Sequence, residues 1–159
     1  MKLVIQRVAE ASVSVDSQLI SKIGKGLCVL VGISKYDTHE DMKYLVRKLL
    51  NARLFDNEKK WNASVKDKQY EILCISQFTL CYQFKSNKLT FHRAMETEKS
   101  KEMYGNFLSE LRNQYDSSKI FDGVFGAYMD VCIKNDGPVT ITIDSPSESK
   151  KPDEEINQS

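Results

Sequence analysis

The run Leu27–Ile33 (LCVLVGI) constrains this chain more than any other segment. A stretch with no polar face reads as a strand covered on both sides, at the centre of a sheet. Around it lie segments of alternating character. Ala11, Val13 and Val15 share one face and Ser12, Ser14 and Asp16 the other, a half-buried strand with Leu3–Val8 as its partner. Met42, Leu45, Val46, Leu49 and Leu50 recur at helical spacing behind Thr38, with Asp41 in the capping-box position. Asp56–Lys60 reads as a turn. Tyr70–Tyr82 is a further strand region with Ser76, Gln77 and Thr79 set inside it, followed by a polar loop through Lys88. A second helix is expected after Thr97, its apolar stripe formed by Tyr104, Phe107, Leu108, Leu111 and Tyr115. Ala127–Lys134 alternates, and so does Val139–Asp144 beyond the turn Asn135–Asp136–Gly137–Pro138. Strands, helix, strands, helix and strands make an α+β chain with mixed or antiparallel pairing. There is no internal repeat.

A length of 159 residues suits one domain, and 41% hydrophobic with 28% charged residues suits a soluble globular one. No apolar run approaches the length of a membrane helix, about eighteen residues or more. Met1–Val8 lacks the apolar stretch and cleavage site of a signal peptide. The net charge of +1 excludes a histone-like chain, yet the segment Lys85–Lys101 gathers Lys85, Lys88, Arg93, Lys99 and Lys101 against Glu96 and Glu98. Residues 145–159 are polar and are expected to form a disordered tail. Cys28, Cys74, Cys81 and Cys132 form no C-x-x-C pair and sit in apolar, strand-like runs, so buried thiols in a reducing compartment are expected and a zinc site is not.

The catalytic inventory is sparse. There is no G-x-S-x-G elbow, no H-E-x-x-H, no P-loop and no G-x-G-x-x-G. Only His39, at a helix start, and His92, in the basic segment, could serve a triad or a metal. Backbone chemistry is left. Ser76–Leu80 (SQFTL) is either a strand end whose hydroxyls bond neighbouring carbonyls or a pocket floor, where a backbone N–H near Phe78 and the Gln77 side chain meet a developing oxyanion. Asn135–Thr140 (NDGPVT) reads as a hairpin turn. Gly137 permits unusual backbone angles and Pro138 a cis bond, which can turn two carbonyls the same way and cradle an ammonium group.

The segments VIQRVAEASVSVD, SQFTL, LTFHRA, GVFGAYM and NDGPVT, in this order, resemble the D-aminoacyl-tRNA deacylase family of the D-tyrosyl-tRNA deacylase type. The resemblance covers roughly residues 1–144. One departure is Leu89–Thr90–Phe91, where many members have Pro-Ser-Phe; a hydroxyl is kept, without the proline. The resemblance implies a single domain over 1–144 whose mixed and antiparallel sheets form a barrel-like core with two main helices. It implies a cytoplasmic homodimer that hydrolyses the ester of D-aminoacyl-tRNA, and of glycine mischarged on tRNA-Ala, releasing the amino acid and tRNA. No cofactor, metal, DNA or membrane is implied. Gly137 and Pro138 would reach into the partner's site, hold the α-ammonium and collide with an L side chain. Arg7, Asn135 and Thr140 would support that turn. Ser76, Gln77, Phe78 and Thr79 would line the ester, with the Phe78 N–H as oxyanion donor. Thr90 is the best side-chain candidate for a nucleophile, although no activating base is evident for it. Lys85, Lys88, Arg93 and Lys99 would bind tRNA phosphates. The rival reading is a tRNA-binding module without catalysis, which needs only the basic segment.

Overall fold

The computed structural model describes residues 1–149. In chain order its elements are β1 (Lys2–Val15), β2 (Gln18–Ile23), β3 (Gly26–Gly32), α1 (His39–Asn51), α2 (Val65–Lys68), β4 (Glu71–Ser76), a 3₁₀ turn at Phe78–Cys81, β5 (Gln83–Lys85), β6 (Lys88–Thr90), α3 (Thr97–Gln114), β7 (Ile120–Asp122), β8 (Asp130–Asp144) and α4 (Pro146–Ser149). The expected α+β architecture is present, with α1 and α3 as its long helices.

The main sheet runs β2-β1-β3-β4-β7, and β8 pairs with β1. The β1 pairings are antiparallel, whereas β3–β4 and β4–β7 are parallel. The sheet curls until its ends meet: Ser21 Oγ donates to the Asp122 carbonyl at 2.6 Å, bringing β2 against β7. The result is a mixed sheet nearly closed into a barrel.

Two apolar cores follow from this closure. Inside the barrel lie Val8, Ala11, Val13, Ile23, Cys28, Leu73 and Ile75. On the outer face Leu3, Ile5, Leu27, Val29, Val31, Ile72 and Cys74 meet Met42, Leu45, Val46 and Leu49 of α1 and Tyr104, Phe107, Leu108 and Leu111 of α3. Strand β3 contributes to both cores, which is why its sequence has no polar face.

Two expectations are corrected. Leu3–Val8 and Ala11–Val15 are not paired strands but halves of one strand, β1. The inward parity changes because Ala9 is an extra residue between the pairs Val8↔Asn135 and Glu10↔Lys134, a bulge that disguises a continuous strand as two. Strand β1 then turns into β2 through Asp16 and Ser17, both at positive φ, a two-residue hairpin without the glycine that would announce it. The Asn135–Pro138 segment is not a hairpin. Residues 130–135 pair with 14–8 of β1, and residues 140–144 pair with 6–2, in the same sense. Asp136–Val139 is therefore looped out of a single long strand, β8.

Two smaller differences concern Cys132, which is exposed on β8, and the polar stretch from Gln83 onward, which is a short β5–β6 hairpin turning at Ser86 and Asn87. Of the polar stretch expected from residue 145 onward, residues 145–149 are described and the remainder lies outside the described residues. Ser145 is buried and donates its N–H to the Met1 carbonyl at 2.8 Å, while the Ser147 N–H reaches Asp41 Oδ1 at 3.1 Å.

Candidate active site

The SQFTL segment leaves the sheet where β4 ends. Ser76 pairs with Val31, and the Gln77 N–H still donates to the Val31 carbonyl at 2.8 Å. The chain then tightens into the 3₁₀ turn, whose first bond runs from the Leu80 N–H to the Gln77 carbonyl at 3.2 Å. That ladder does not use the N–H groups of Phe78 and Thr79, which stand at the start of the turn. Gln77 folds back so that its Nε2 donates to Thr79 Oγ1. Gly32 permits the turn to sit here, because a Cβ at that position would lie 2.7 Å from Leu80 Cβ. Phe78 is exposed, and the ring of Phe91 meets it edge-on with centroids 5.1 Å apart. SQFTL is thus a strand end in structure, with the Thr79 hydroxyl accepting from the Gln77 side chain, and the first N–H groups of its turn stand at an open surface.

Thr90 ends β6 and faces the same region. Its Oγ1 lies 3.1 Å from His92 Nδ1, so the side chain expected to stand without a neighbouring base has an imidazole beside it. The i, i+2 spacing Thr-x-His carried that signal: β6 ends at Thr90, and the turn closed by the Ala94 N–H on the Phe91 carbonyl brings His92 back beside it.

The looped-out residues of β8 are gripped from β1. Arg7 Nε donates to the Asp136 carbonyl at 3.1 Å and Nη1 to the Leu54 carbonyl at 2.8 Å, with Asp136 Oδ2 3.4 Å from Nε. The guanidinium also lies over the Trp61 ring, 5.6 Å from its centroid. Gln6 donates to Thr140 Oγ1 at 3.3 Å at one end of the loop, and Asn135 pairs with Val8 at the other. Gly137 has φ +132, and a Cβ there would lie 2.9 Å from the Val139 nitrogen, so glycine is required. The Gly137–Pro138 peptide bond is cis. Asp136, Leu54 and Trp61 complete the grip; only the fold brings the latter two, from beyond α1, to Arg7.

The two motifs do not meet within one chain. Ser76 is level with Val31, and Val31 with Leu3, while the loop lies opposite Arg7. They are four residues apart along β1 and three strands apart across the sheet, about 13 Å along the strand direction alone. The basic side chains also divide. Lys85 and Lys88 face each other as a cross-strand pair on the hairpin, and both, like Lys99 on α3, are exposed. Arg93 instead turns to the Gln83 side chain, with Nη2 2.7 Å from one end of its amide, the end that hydrogen bonding to a guanidinium requires to be the oxygen.

The buried thiols lie outside this chemistry. Burial pushes Cys28 up to about 11 and Cys74 higher still, the neighbouring Asp122 adding to the latter. Both stay protonated and poorly nucleophilic at neutral pH. Burial also raises the Asp122 carboxyl, whose oxygen takes the Tyr104 hydroxyl in the sheet wall. Among the described residues no three His, Cys, Asp or Glu side chains converge on a metal-sized site.

The model of the family described as D-Tyr-tRNA(Tyr) deacylase matches residues 4–144. The chain belongs to this family. It is 55% identical over 159 residues to a Drosophila melanogaster D-aminoacyl-tRNA deacylase, covering 99% of this chain and 100% of that one. It is also 55% identical over 149 residues to human D-aminoacyl-tRNA deacylase 1, covering 92% and 71% respectively. A solved structure described as c-Myc DNA Unwinding Element Binding Protein superposes with a TM-score of 0.89 at 55% identity, covering 92% of this chain and 99% of that one. Another, described as a probable eukaryotic D-amino acid tRNA deacylase, shares the fold at a TM-score of 0.79 and 18% identity, covering 90% and 98%. In this member of the D-Tyr-tRNA(Tyr) deacylase family the matched span takes in both SQFTL and NDGPVT, and ends at Asp144, the last residue of β8.

Proposed function

We propose that this chain, a D-aminoacyl-tRNA deacylase by family, selects its substrates by refusing L-aminoacyl esters rather than by gripping a D side chain. The observation that carries this reading is the Arg7-held loop Asp136–Val139: it offers a fixed piece of backbone, and backbone cannot read side-chain identity. The carbonyls of Gly137 and Pro138 receive the substrate's α-ammonium, so that an L side chain collides with them and a D side chain points away. Glycine, with nothing to collide, passes, which extends the substrates to glycyl-tRNA mischarged on tRNA-Ala.

The ester lies against Ser76–Thr79, with its carbonyl oxygen toward the Phe78 N–H. Water adds to the carbonyl carbon, the oxyanion is held by that donor, and the bond to the ribose oxygen breaks as the oxygen takes up a proton. The products are the free amino acid and tRNA. An aminoacyl ester is already activated, so positioning and oxyanion stabilisation suffice without a triad. The vicinal ribose hydroxyl orients the attacking water. Lys85, Lys88 and Lys99 meet the tRNA phosphates.

The loop and the SQFTL turn act on one ester only if they come from different subunits, since they lie well apart in one chain. We therefore read the working form as a homodimer in which Gly137 and Pro138 complete the partner's site. Free thiols at Cys28, Cys74 and Cys132 suit the reducing cytoplasm, and no helix of the described residues is long and apolar enough to cross a membrane.

The test is deacylation of matched D- and L-aminoacyl-tRNAs by the purified protein. Several chemically different D-aminoacyl-tRNAs and glycyl-tRNA should be cleaved while their L counterparts persist. Activity on one D-amino acid alone, or equal turnover of L and D, would overturn the exclusion reading. Binding of tRNA with no turnover would make the chain a binding module.

A further inference from the structure

We propose that Arg93, Gln83 and His92 form a hydrogen-bond relay that makes the Thr90 hydroxyl an acceptor and fixes Phe91 against Phe78, so that His92 is a positioning residue and not a base for Thr90. The sense of the relay follows from its first member. A guanidinium only donates. Its Nη2, Nε and Nη1 lie 2.7, 2.9 and 3.2 Å from one end of the Gln83 amide, which must therefore be the oxygen, and the NH2 is then the end that faces His92 Nε2 at 2.7 Å. An amide NH2 also only donates, and Nε2 must present its lone pair. In a neutral imidazole the proton then sits on Nδ1. Nδ1 is 3.1 Å from Thr90 Oγ1, and its N–H donates there. The hydroxyl's own proton is directed to the Gln83 carbonyl, 3.5 Å away. Gln83 and Thr90 are cross-strand partners in the hairpin, so the relay closes into a ring that begins and ends on one residue.

Activation of Thr90 needs a bare nitrogen facing the hydroxyl. The relay has the opposite polarity. What it does hold is the segment between its members. Phe91 lies between Thr90 and His92, and its ring packs edge-on to Phe78, the first residue of the SQFTL turn. The same segment is fastened behind, where the Arg93 carbonyl accepts from the Lys35 N–H at 2.9 Å and the Phe91 carbonyl from the Ala94 N–H at 3.0 Å. Arg93 thus serves the shape of the site in preference to phosphate binding.

The tautomer is read on the free protein by long-range proton–nitrogen correlation of the imidazoles at neutral pH. There are two histidines, and a His39→Gln variant assigns them. His92 should carry its proton on Nδ1, and Arg93→Leu or Gln83→Leu should convert it to a mixture. A proton on Nε2 in the wild type, or an unchanged tautomer in both variants, would overturn the relay. The kinetic arm rests on the deacylase reading and uses D-tyrosyl-tRNA. His92→Ala should lower kcat roughly tenfold, as expected for a slight misplacement of site groups, with KM little changed. His92→Asn, whose amide N–H can replace Nδ1–H, should recover most of that loss. Thr90→Val should match His92→Ala, and the double variant should lose no more than either, as members of one network do. Complete loss in Thr90→Val would make Thr90 the nucleophile, and full activity in His92→Ala would remove the positioning role; either overturns the proposal. A wild type inert toward D-tyrosyl-tRNA would defeat the deacylase reading, while the imidazole spectrum would still decide the relay.

Discussion

Gly137 shows how much can rest on the absence of a side chain. Its φ of +132 lies where L residues rarely go, and its missing Cβ leaves room for Val139 and for the Arg7 guanidinium, whose Nη2 would lie 3.5 Å from it. Gly137→Ala should therefore destabilise the fold by about 1–3 kcal/mol. It should also reduce D-aminoacyl-tRNA turnover by more than the lost stability explains, since the loop must move off Arg7 to admit the methyl. A thermal melt and single-turnover deacylation on the same sample check this; unchanged turnover would mean that the loop does not touch substrate. Arg7 itself was legible from the resemblance, because it lies within the VIQRVAEASVSVD stretch. Its partners Leu54 and Trp61 were not. They come from a connection that only three-dimensional packing brings back to β1, and neither a carbonyl nor an exposed indole leaves a periodic trace in sequence.

At the scale of elements, helices announced themselves and strand pairing did not. The α1 and α3 stripes repeat within a single turn's reach, so local sequence specifies them, and the Thr38–Asp41 capping box expected for α1 is present. Burial pushes the Asp41 carboxyl upward, but hydrogen bonds from the Thr38 backbone and hydroxyl and from Ser147 outweigh it and hold it down at about 2. A carboxyl lowered in the fold stabilises it above the ordinary carboxylate pKa, by on the order of 2 kcal/mol, and that contribution disappears as pH falls toward the lowered value. Asp41→Asn should thus lower the melting temperature at neutral pH, with the gap to the wild type closing near pH 2, and a gap of equal size at both would refute the assignment. The pairing of β8 with both halves of β1, by contrast, joins segments more than a hundred residues apart, and a turn-like sequence at Asn135–Pro138 reads identically whether the chain reverses or merely bulges. The β5–β6 hairpin carries a further consequence. Lys85 and Lys88 stand directly opposite each other, an arrangement that disfavours the hairpin unless an anion lies over it. Replacing Lys85, Lys88 and Lys99 with Gln should raise KM for aminoacyl-tRNA, while kcat holds. The salt dependence should flatten by roughly 0.7 in logarithmic slope for each phosphate no longer neutralised. A fall in kcat alone would move these lysines from affinity to chemistry.

For the whole molecule the separation of the two motifs sets the experiment. Chains inactivated at Gly137–Pro138 and chains inactivated at Gln77–Phe78 should each be dead as homodimers. When the two are mixed, unfolded together and refolded, heterodimers should recover activity, because one of their two sites joins an intact turn to an intact loop. Folded, paired heterodimers without activity would show that the loop serves its own chain. The strand that carries Arg7 has a wider part in the molecule. β1 lends Leu3 and Ile5 to the core under the helices and Val8, Ala11 and Val13 to the core within the barrel, and it bonds to β2, β3 and β8. It cannot open without opening both cores, so its amides should exchange with solvent only at the rate of global unfolding. The loop hangs from a strand anchored in both cores, and fluctuations of the peripheral hairpin reach it only by crossing that strand. The chiral filter proposed for this loop would then be insulated from motion elsewhere in the chain, and D/L selectivity should stay flat with temperature until the molecule as a whole begins to melt.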